Sequence, residues 1–504
     1  MQQLAPQQGP VMDILKGPDL KKINSLDAIV LDAALKSTLK RQLYEQLRRL
    51  ISGRILAPGS ALPSTRQLAK DLAIGRNTVV AAYEQLITEG YLHNRHTACP
   101  VVVDLPSGPM SHEDERAYPF RPSISRRGEM MMGEPFYFGA AGQPAFHPGM
   151  PDAQEFPFTA WSRLLARRGA SGRDTLFGTY DVLGFPPLRE TIASYLNAAR
   201  GMRCSTEQVV IISGAQGAFD LLARLLLDPG DTVWMEEPGY FGAQSAFEVA
   251  GARLAPLHVD GGGWSLDGWP SPAPRVICVT PSCHHPLGAT MRMEQRLRLL
   301  EIAESCNAWI IEDDYDSEYR FQGQPIPAMQ GSDASRRVIY VGTFSKLLFP
   351  ALRIGFMVLP AGLVSGIAQA INVSGHVPPL LLQAALFDFI NEGHMAKHLR
   401  RTRRLYAMRR EAFLTMGEAQ LSQWLQWAPG QSGIQTTAFC RDGLDDHAIA
   451  AAAKKRGIHV SPLSMQYRHG KPRHGLVLGY AATSVSHMDS GMQKLREALL
   501  EVAG

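Results

Sequence analysis

The first sustained pattern of apolar positions lies in "KSTLKRQLYEQLRRLISGRIL". There Leu39, Leu43, Leu47, Leu50 and Ile51 recur at helical spacing, and Gly53 stands where the helix would stop. A Pro-Gly turn follows in "APGSALPSTRQLAKDLAI", with Ser64 and Thr65 placed to cap a second, short helix. "GRNTVVAAYEQLITEGYL" predicts a third helix with Gly90 as its stop. These last two, joined by a turn at Ala73 to Gly75, make a helix-turn-helix. "YLHNRHTACPVVVDL" reads as two short strands around a turn, a wing.

Periodicity is lost from Pro106 to Gly133, a Pro, Gly and Ser-rich stretch that reads as a linker. Beyond it, helical patterns alternate with short β-rich runs: "QVVIIS", "DTVWME", "RVICVT", "AWIIED" and "RVIYVG", interleaved with "AFDLLARLLL" and "LRLLEIAESC". This alternation predicts an α/β fold, a large, mostly parallel sheet with helices on both faces and ligands at the carboxyl ends of its strands. The expected organisation is a tail over 1–35, a winged helix-turn-helix over 36–105, a linker over 106–133 and a large domain over 134–504.

Composition narrows the class. A chain of 504 residues, 45% apolar and 19% charged, is an ordinary globular protein of two or three domains. The N-terminus lacks a basic segment followed by an apolar one, so no secretory signal is read and a cytoplasmic protein is expected. The longest uncharged segment, Ile354 to Phe387, is broken by "SGHVPP" and is not read as a membrane span. Six cysteines form no C-x-x-C pair and no metal-ligand spacing, so no metal site is expected. The net charge is only +4, yet Lys36 to Asp104 holds ten Lys and Arg against five Asp and Glu. A small basic module on a nearly neutral domain implies a polyanionic partner.

"LPSTRQLAKDLAIGRNTVVAAYEQLITEGYL" resembles the winged helix-turn-helix of GntR-type regulators. The resemblance implies promoter DNA as partner, with Arg66, Arg76, Asn77 and Thr78 facing it. The residue types suit that role. Arg76, Asn77 and Thr78 open a helix, where free amides and the dipole favour phosphate, and arginine offers a fork for guanine edges.

In "VGTFSKLLFPALRIGF", Lys346 and Arg353 are the only charges in apolar text, and thirty-three residues before Lys346 an apolar strand runs into Asp313, Asp314, Tyr315 and Asp316. A lysine bound to pyridoxal phosphate needs an acid for the pyridine nitrogen, a phenol suits the ring oxygen and an arginine suits the phosphate. Asp314 rivals Asp313 for the first of these tasks. The segments "SGAQGAFDLLARLLLDPGD", "EEPGYFG", "TPSCHHPLG", "IIEDDYDSEYR" and "GTFSKLLFPALRIG" occur in the order found in fold-type I aminotransferases, which the region from Glu134 to Gly504 resembles. Joined to the winged helix, the chain resembles MocR/GabR-type regulators.

The resemblance implies a smaller C-terminal α+β subdomain and pyridoxal 5'-phosphate as cofactor. Lys346 would be the Schiff-base lysine, Asp313 the partner of the pyridine nitrogen and Tyr315 that of the ring hydroxyl. Arg353, Ser345, Thr343 and the amides of Ala215 and Gln216 would hold the phosphate, and Tyr240 would stack on the ring. Tyr180 would reach the phosphate of a neighbouring subunit, which implies a homodimer, domain-swapped head-to-tail as in the family. His285 stands where aminotransferases place an asparagine; it, or His284, could bond the ring oxygen, or both could pack. "HLRRTRRLYAMRR" reads as a long solvated helix face.

Transaminases hold the substrate carboxylate with an arginine in a late strand. The matching "KPRHGLVLGYAATS" has Val477 and Leu478 there and Arg473 just outside, the one candidate effector-binding arginine. The expected function is a pyridoxal phosphate-dependent transcription regulator that senses an amine, an amino acid or the cofactor itself. The alternative is an active aminotransferase with an accessory DNA-binding module.

Overall fold

The computed structural model describes residues 26, 29–32, 35, 37–94, 99–105, 123–132, 144–171, 176–178, 181–260, 262–266, 272–430, 432–441 and 443–504. The chain divides into two compact units, Met1–Ser123 and Ile124–Gly504. No helix among the described residues is long and apolar enough to cross a membrane.

In the first unit, α1 (Leu39–Ser52) is capped by the Thr38 hydroxyl, which accepts from the Arg41 amide, and it ends at Gly53. The Ser64 hydroxyl caps α2 (Thr65–Asp71), and α3 (Arg76–Thr88) follows after four residues. Leu43, Leu47, Leu68, Val79, Ala82 and Leu86 close one core among the three helices. The wing strands, β1 (Leu92–His93) and β2 (Val101–Val102), pair antiparallel; the tip between them, 95–98, lies outside the described residues. Residues from the stretch read as a tail pack on this unit. Ile29 is buried in this core, and the side chains of Gln42 and Gln46 exchange hydrogen bonds with the backbone of Val30 and Asp32.

The second unit is built on an eight-stranded sheet in the order β3-β10-β9-β8-β7-β4-β5-β6. The strands are β3 (Val209–Ile212), β4 (Thr232–Glu237), β5 (Arg253–Asp260), β6 (Gly263–Trp264), β7 (Val276–Val279), β8 (Trp309–Asp314), β9 (Val338–Thr343) and β10 (Gly355–Val358). Neighbours from β5 through β4, β7 and β8 to β9 run parallel, whereas β10 is antiparallel to both β9 and β3. Strand residues alternate between cores: Val210 and Ile212 join one cluster, Val209 and Ile211 another. Both faces are therefore covered, which is why these strands read as unbroken apolar runs.

A second, antiparallel sheet has the order β11-β12-β14-β13, formed by Leu425–Trp427, Gln435–Cys440, Gly475–Gly479 and Ser461–Pro462. The long helix His394–Leu421 is present, but its arginines are not all a solvated face. Arg409 is buried and pairs with Asp152 (2.8 Å), Arg403 donates to the Glu318 carbonyl, and Arg410 donates to that of Gly430. Within the stretch read as linker, a short helix, α4 (Arg126–Met131), belongs to the second unit.

Candidate functional site

The carboxyl ends of β8 and β9 and the start of the helix Gly214–Leu226 meet at a cavity of about 750 Å³. Ala215, Gln216, Tyr240, His285, Asp313, Tyr315, Thr343, Ser345, Lys346 and Arg353 all line it, although up to 138 residues separate them in the chain. Tyr180 lies outside the described residues. Arg473 is not brought to this cavity: it is exposed, and its guanidinium lies 3.3 Å from the centre of the Phe439 ring. Val477 and Leu478 are buried in β14.

Lys346 follows β9 in the crossover to β10. Its Nζ donates to the Gly149 carbonyl (2.7 Å). Burial lowers its pKa to about 8, partly offset by the nearby charges of Asp316 and Asp313. Gly149 is required at this approach: its φ is +65°, and a Cβ there would lie 2.6 Å from Lys346 Nζ. Arg353 itself holds a left-handed conformation (φ 52°), uncommon outside glycine and frequent where structure serves a site.

The two adjacent aspartates are separated by strand alternation. Asp314 faces away from the cavity, where Oδ2 accepts from Arg200 (2.6 Å) and from the Tyr340 hydroxyl (2.6 Å). Asp313 lines the cavity, and its buried Oδ1 has no hydrogen-bond partner among the described residues. Burial, and then the charges of Asp314, Glu236 and Asp316, push its pKa well above the usual carboxylate range. A cationic N–H donor brought into the cavity would satisfy this oxygen and hold the carboxylate ionised.

The histidines divide in the same way. His285 lines the cavity, edge-on to Tyr240 and Tyr315 at 5.3 and 5.9 Å, and its Nδ1 lies 3.3 Å from the Gln435 amide. His284 is fully buried behind it against Trp264. Burial lowers both to about 3, so both are neutral at pH 7, and the 3.8 Å approach of His284 to Glu236 is not an ion pair. Thr343 closes β9 and its hydroxyl accepts from the Ser345 amide (3.1 Å), while the Gln216 side chain donates to the Gly242 carbonyl.

Other neighbours were not read from the sequence. Asp316 is fully buried beside the Cys283 thiol, which in turn accepts from the Tyr315 hydroxyl at 3.6 Å. Burial raises Asp316 to about 7. Met150, Gln435 and, from the linker stretch, Met130 and Met131 also line the cavity. Adjacency to Tyr315 was the only sequence signal for Asp316.

On the first unit, Arg66, Arg76 and Asn77 are exposed and Thr78 is half-buried, the last three in the first turn of α3. Among the described residues no side chain caps α3; the Thr78 amide donates to the Gly75 carbonyl (2.9 Å), which leaves the amides of Arg76 and Asn77 to meet an anion. Arg76 Nε is 3.4 Å from the Thr65 hydroxyl, which ties the α3 start to α2.

Comparison with known proteins places both units. Residues 39–99 match the family of bacterial regulatory proteins, gntR family, and residues 149–492 match aminotransferase class I and II. The chain is 48% identical to the probable rhizopine catabolism regulatory protein MocR of Rhizobium meliloti, over 94% of this chain and 96% of that one. It is 29% identical to the HTH-type pyridoxine biosynthesis transcriptional regulator PdxR of Corynebacterium glutamicum, over 90% and 94%. Among solved structures it resembles the α-aminoadipate aminotransferase LysN of Thermus thermophilus, complexed with N-(5'-phosphopyridoxyl)-L-leucine. That match has a TM-score of 0.67 and 26% identity, over 72% of this chain and 93% of that one. The chain belongs to the MocR-type family of transcription regulators, in which a gntR-family helix-turn-helix is joined to an aminotransferase class I and II domain.

Proposed function

We propose that this regulator binds promoter DNA through α3, holds pyridoxal 5'-phosphate in the second unit, and uses it to sense an amine or amino acid, or the cofactor itself. The observation that carries the reading is one cavity lined by Lys346, by Asp313 with an unpartnered buried oxygen, and by Arg353. The bound cofactor supplies an aldehyde that condenses reversibly with primary amines. Lys346 presents the amine that retains it, and Asp313 accepts from the pyridine nitrogen. Tyr315 and His285 serve the ring oxygen, Tyr240 covers a ring face, and Arg353, Ser345, Thr343 and the Ala215 and Gln216 amides hold the phosphate. Arg66, Arg76, Asn77 and Thr78 contact the DNA. A head-to-tail homodimer, with Tyr180 reaching the partner's phosphate, would present two winged units to paired half-sites.

The purified protein should show a visible absorbance band that Lys346→Ala abolishes; an unchanged spectrum in that variant would sink the cofactor assignment. The full cofactor set also favours a second reading, an aminotransferase with residual turnover. Buried Val477 and Leu478 at the position of the carboxylate-binding arginine weigh against it. Single-turnover conversion to pyridoxamine phosphate with a panel of amino acids separates the two, since rapid conversion favours the enzyme.

A further inference from the structure

Met130 and Met131 end α4 and Met132 follows as its C-cap, with 52%, 66% and 73% of their surfaces exposed. Three consecutive thioethers on an open surface are unusual unless something covers them. Two of them, Met130 and Met131, stand in the wall of the cavity that Lys346, Asp313 and Arg353 also line. The helix packs against the helix Phe241–Val249, whose Phe241, Ala246 and Val249 share that wall.

Nothing in α4 is buried, and its six residues are too few for a helix to persist on its own backbone bonds. Its position therefore depends on contacts with its surroundings, and an occupant of the cavity would add to them. Methionine suits such a task, because its unbranched, polarizable side chain adapts to surfaces of different shape. In the sequence, residues 106–125 connect α4 to the winged unit.

We propose that Met130 and Met131 contact the occupant of the cavity, and that α4 thereby reports occupancy to the DNA-binding unit. The proposal rests on the pyridoxal phosphate reading. The occupant is a phosphorylated pyridine, either the cofactor alone or its adduct with an amine. Filling the cavity fixes α4 against the helix Phe241–Val249, and emptying it releases α4.

The test is limited trypsin digestion of the full-length apoprotein, following cleavage at the exposed Arg126 and Arg127 by mass spectrometry while absorbance reports cofactor loading. Three additions are compared: pyridoxal 5'-phosphate, a reduced phosphopyridoxyl amino-acid adduct, and inorganic phosphate. Cleavage should slow about fivefold or more with one or both of the first two, and remain unchanged with phosphate. Protection by the cofactor alone identifies it as the occupant read; protection by the adduct only identifies the amine-bearing form.

Met131→Glu should lose the protection. Met132→Glu, at the C-cap that follows α4 but outside the wall, should keep it. Saturated absorbance without protection in the wild type would overturn the proposal and leave the cofactor assignment standing. Equal loss in the two variants would overturn it as well, by reducing the effect to disruption of the helix. Failure of any absorbance to develop would overturn the cofactor assignment and this proposal with it.

Discussion

The lowered pKa of Lys346 makes a quantitative prediction about how the apoprotein would capture the proposed cofactor. Only a neutral amine attacks an aldehyde. With a pKa of about 8, roughly one-tenth of Lys346 is neutral at pH 7, against about one in 2,500 for an ordinary lysine of pKa about 10.4. The capture rate should therefore rise about tenfold from pH 7 and level off above about pH 9, with its midpoint near 8. Asp316, Asp313 and the neutral His285 face the amine. The buried carboxylate of Asp316 holds the lysine pKa up, so Asp316→Asn should move the midpoint to lower pH. Stopped-flow absorbance of apoprotein mixed with pyridoxal phosphate from pH 6 to 10 measures the profile. Nα-acetyl-lysine in the same buffers corrects for titration of the cofactor itself. A rate that still climbs about ninefold from pH 8.5 to pH 9.5, as a solvated lysine of pKa about 10.4 requires, would refute the argument, as would a midpoint that rises in Asp316→Asn.

Four further outcomes follow from particular residues. Asp314→Ala leaves the buried Arg200 guanidinium without its carboxylate and should cost about 3–5 kcal/mol of stability. Asp313→Asn should instead spare the thermal midpoint and weaken cofactor retention, so melting and absorbance together distinguish the two aspartates. Gly149→Ala places a methyl against Lys346 Nζ at a left-handed φ and should slow cofactor capture by at least about tenfold, measured by the same stopped-flow assay. Arg76→Ala should weaken promoter binding by about 1–3 kcal/mol and flatten its salt dependence, leaving the visible spectrum intact; unaltered affinity would refute the assignment of the α3 face.

The site was legible because its residues sit where chemistry and chain punctuation coincide. Asp313 and Tyr315 follow an apolar strand, and Lys346 and Arg353 are isolated cations in apolar text. Strand alternation, not composition, settled which aspartate faces the cavity, and it needed the register of β8 against β9. β10 was not read, because four residues, "GFMV", carry too little pattern to announce an antiparallel insertion between β3 and β9. Asp316 and Cys283 were missed as a pair because only the fold places them together. The arginines of His394–Leu421 were read as solvated because their partners, Asp152 and the carbonyls of Glu318 and Gly430, lie far away in sequence or are backbone atoms. Met130 and Met131 fell in a stretch whose composition signals a linker, and nothing in that composition reveals a cavity wall.

The central claim is that the cofactor cavity governs DNA binding. Promoter affinity of the holoprotein should be measured with and without a candidate amine while the visible band is followed, in parallel with Lys346→Ala. The account predicts an amine-dependent change in affinity that tracks the spectral change and is absent from Lys346→Ala. An equal response in Lys346→Ala would contradict it.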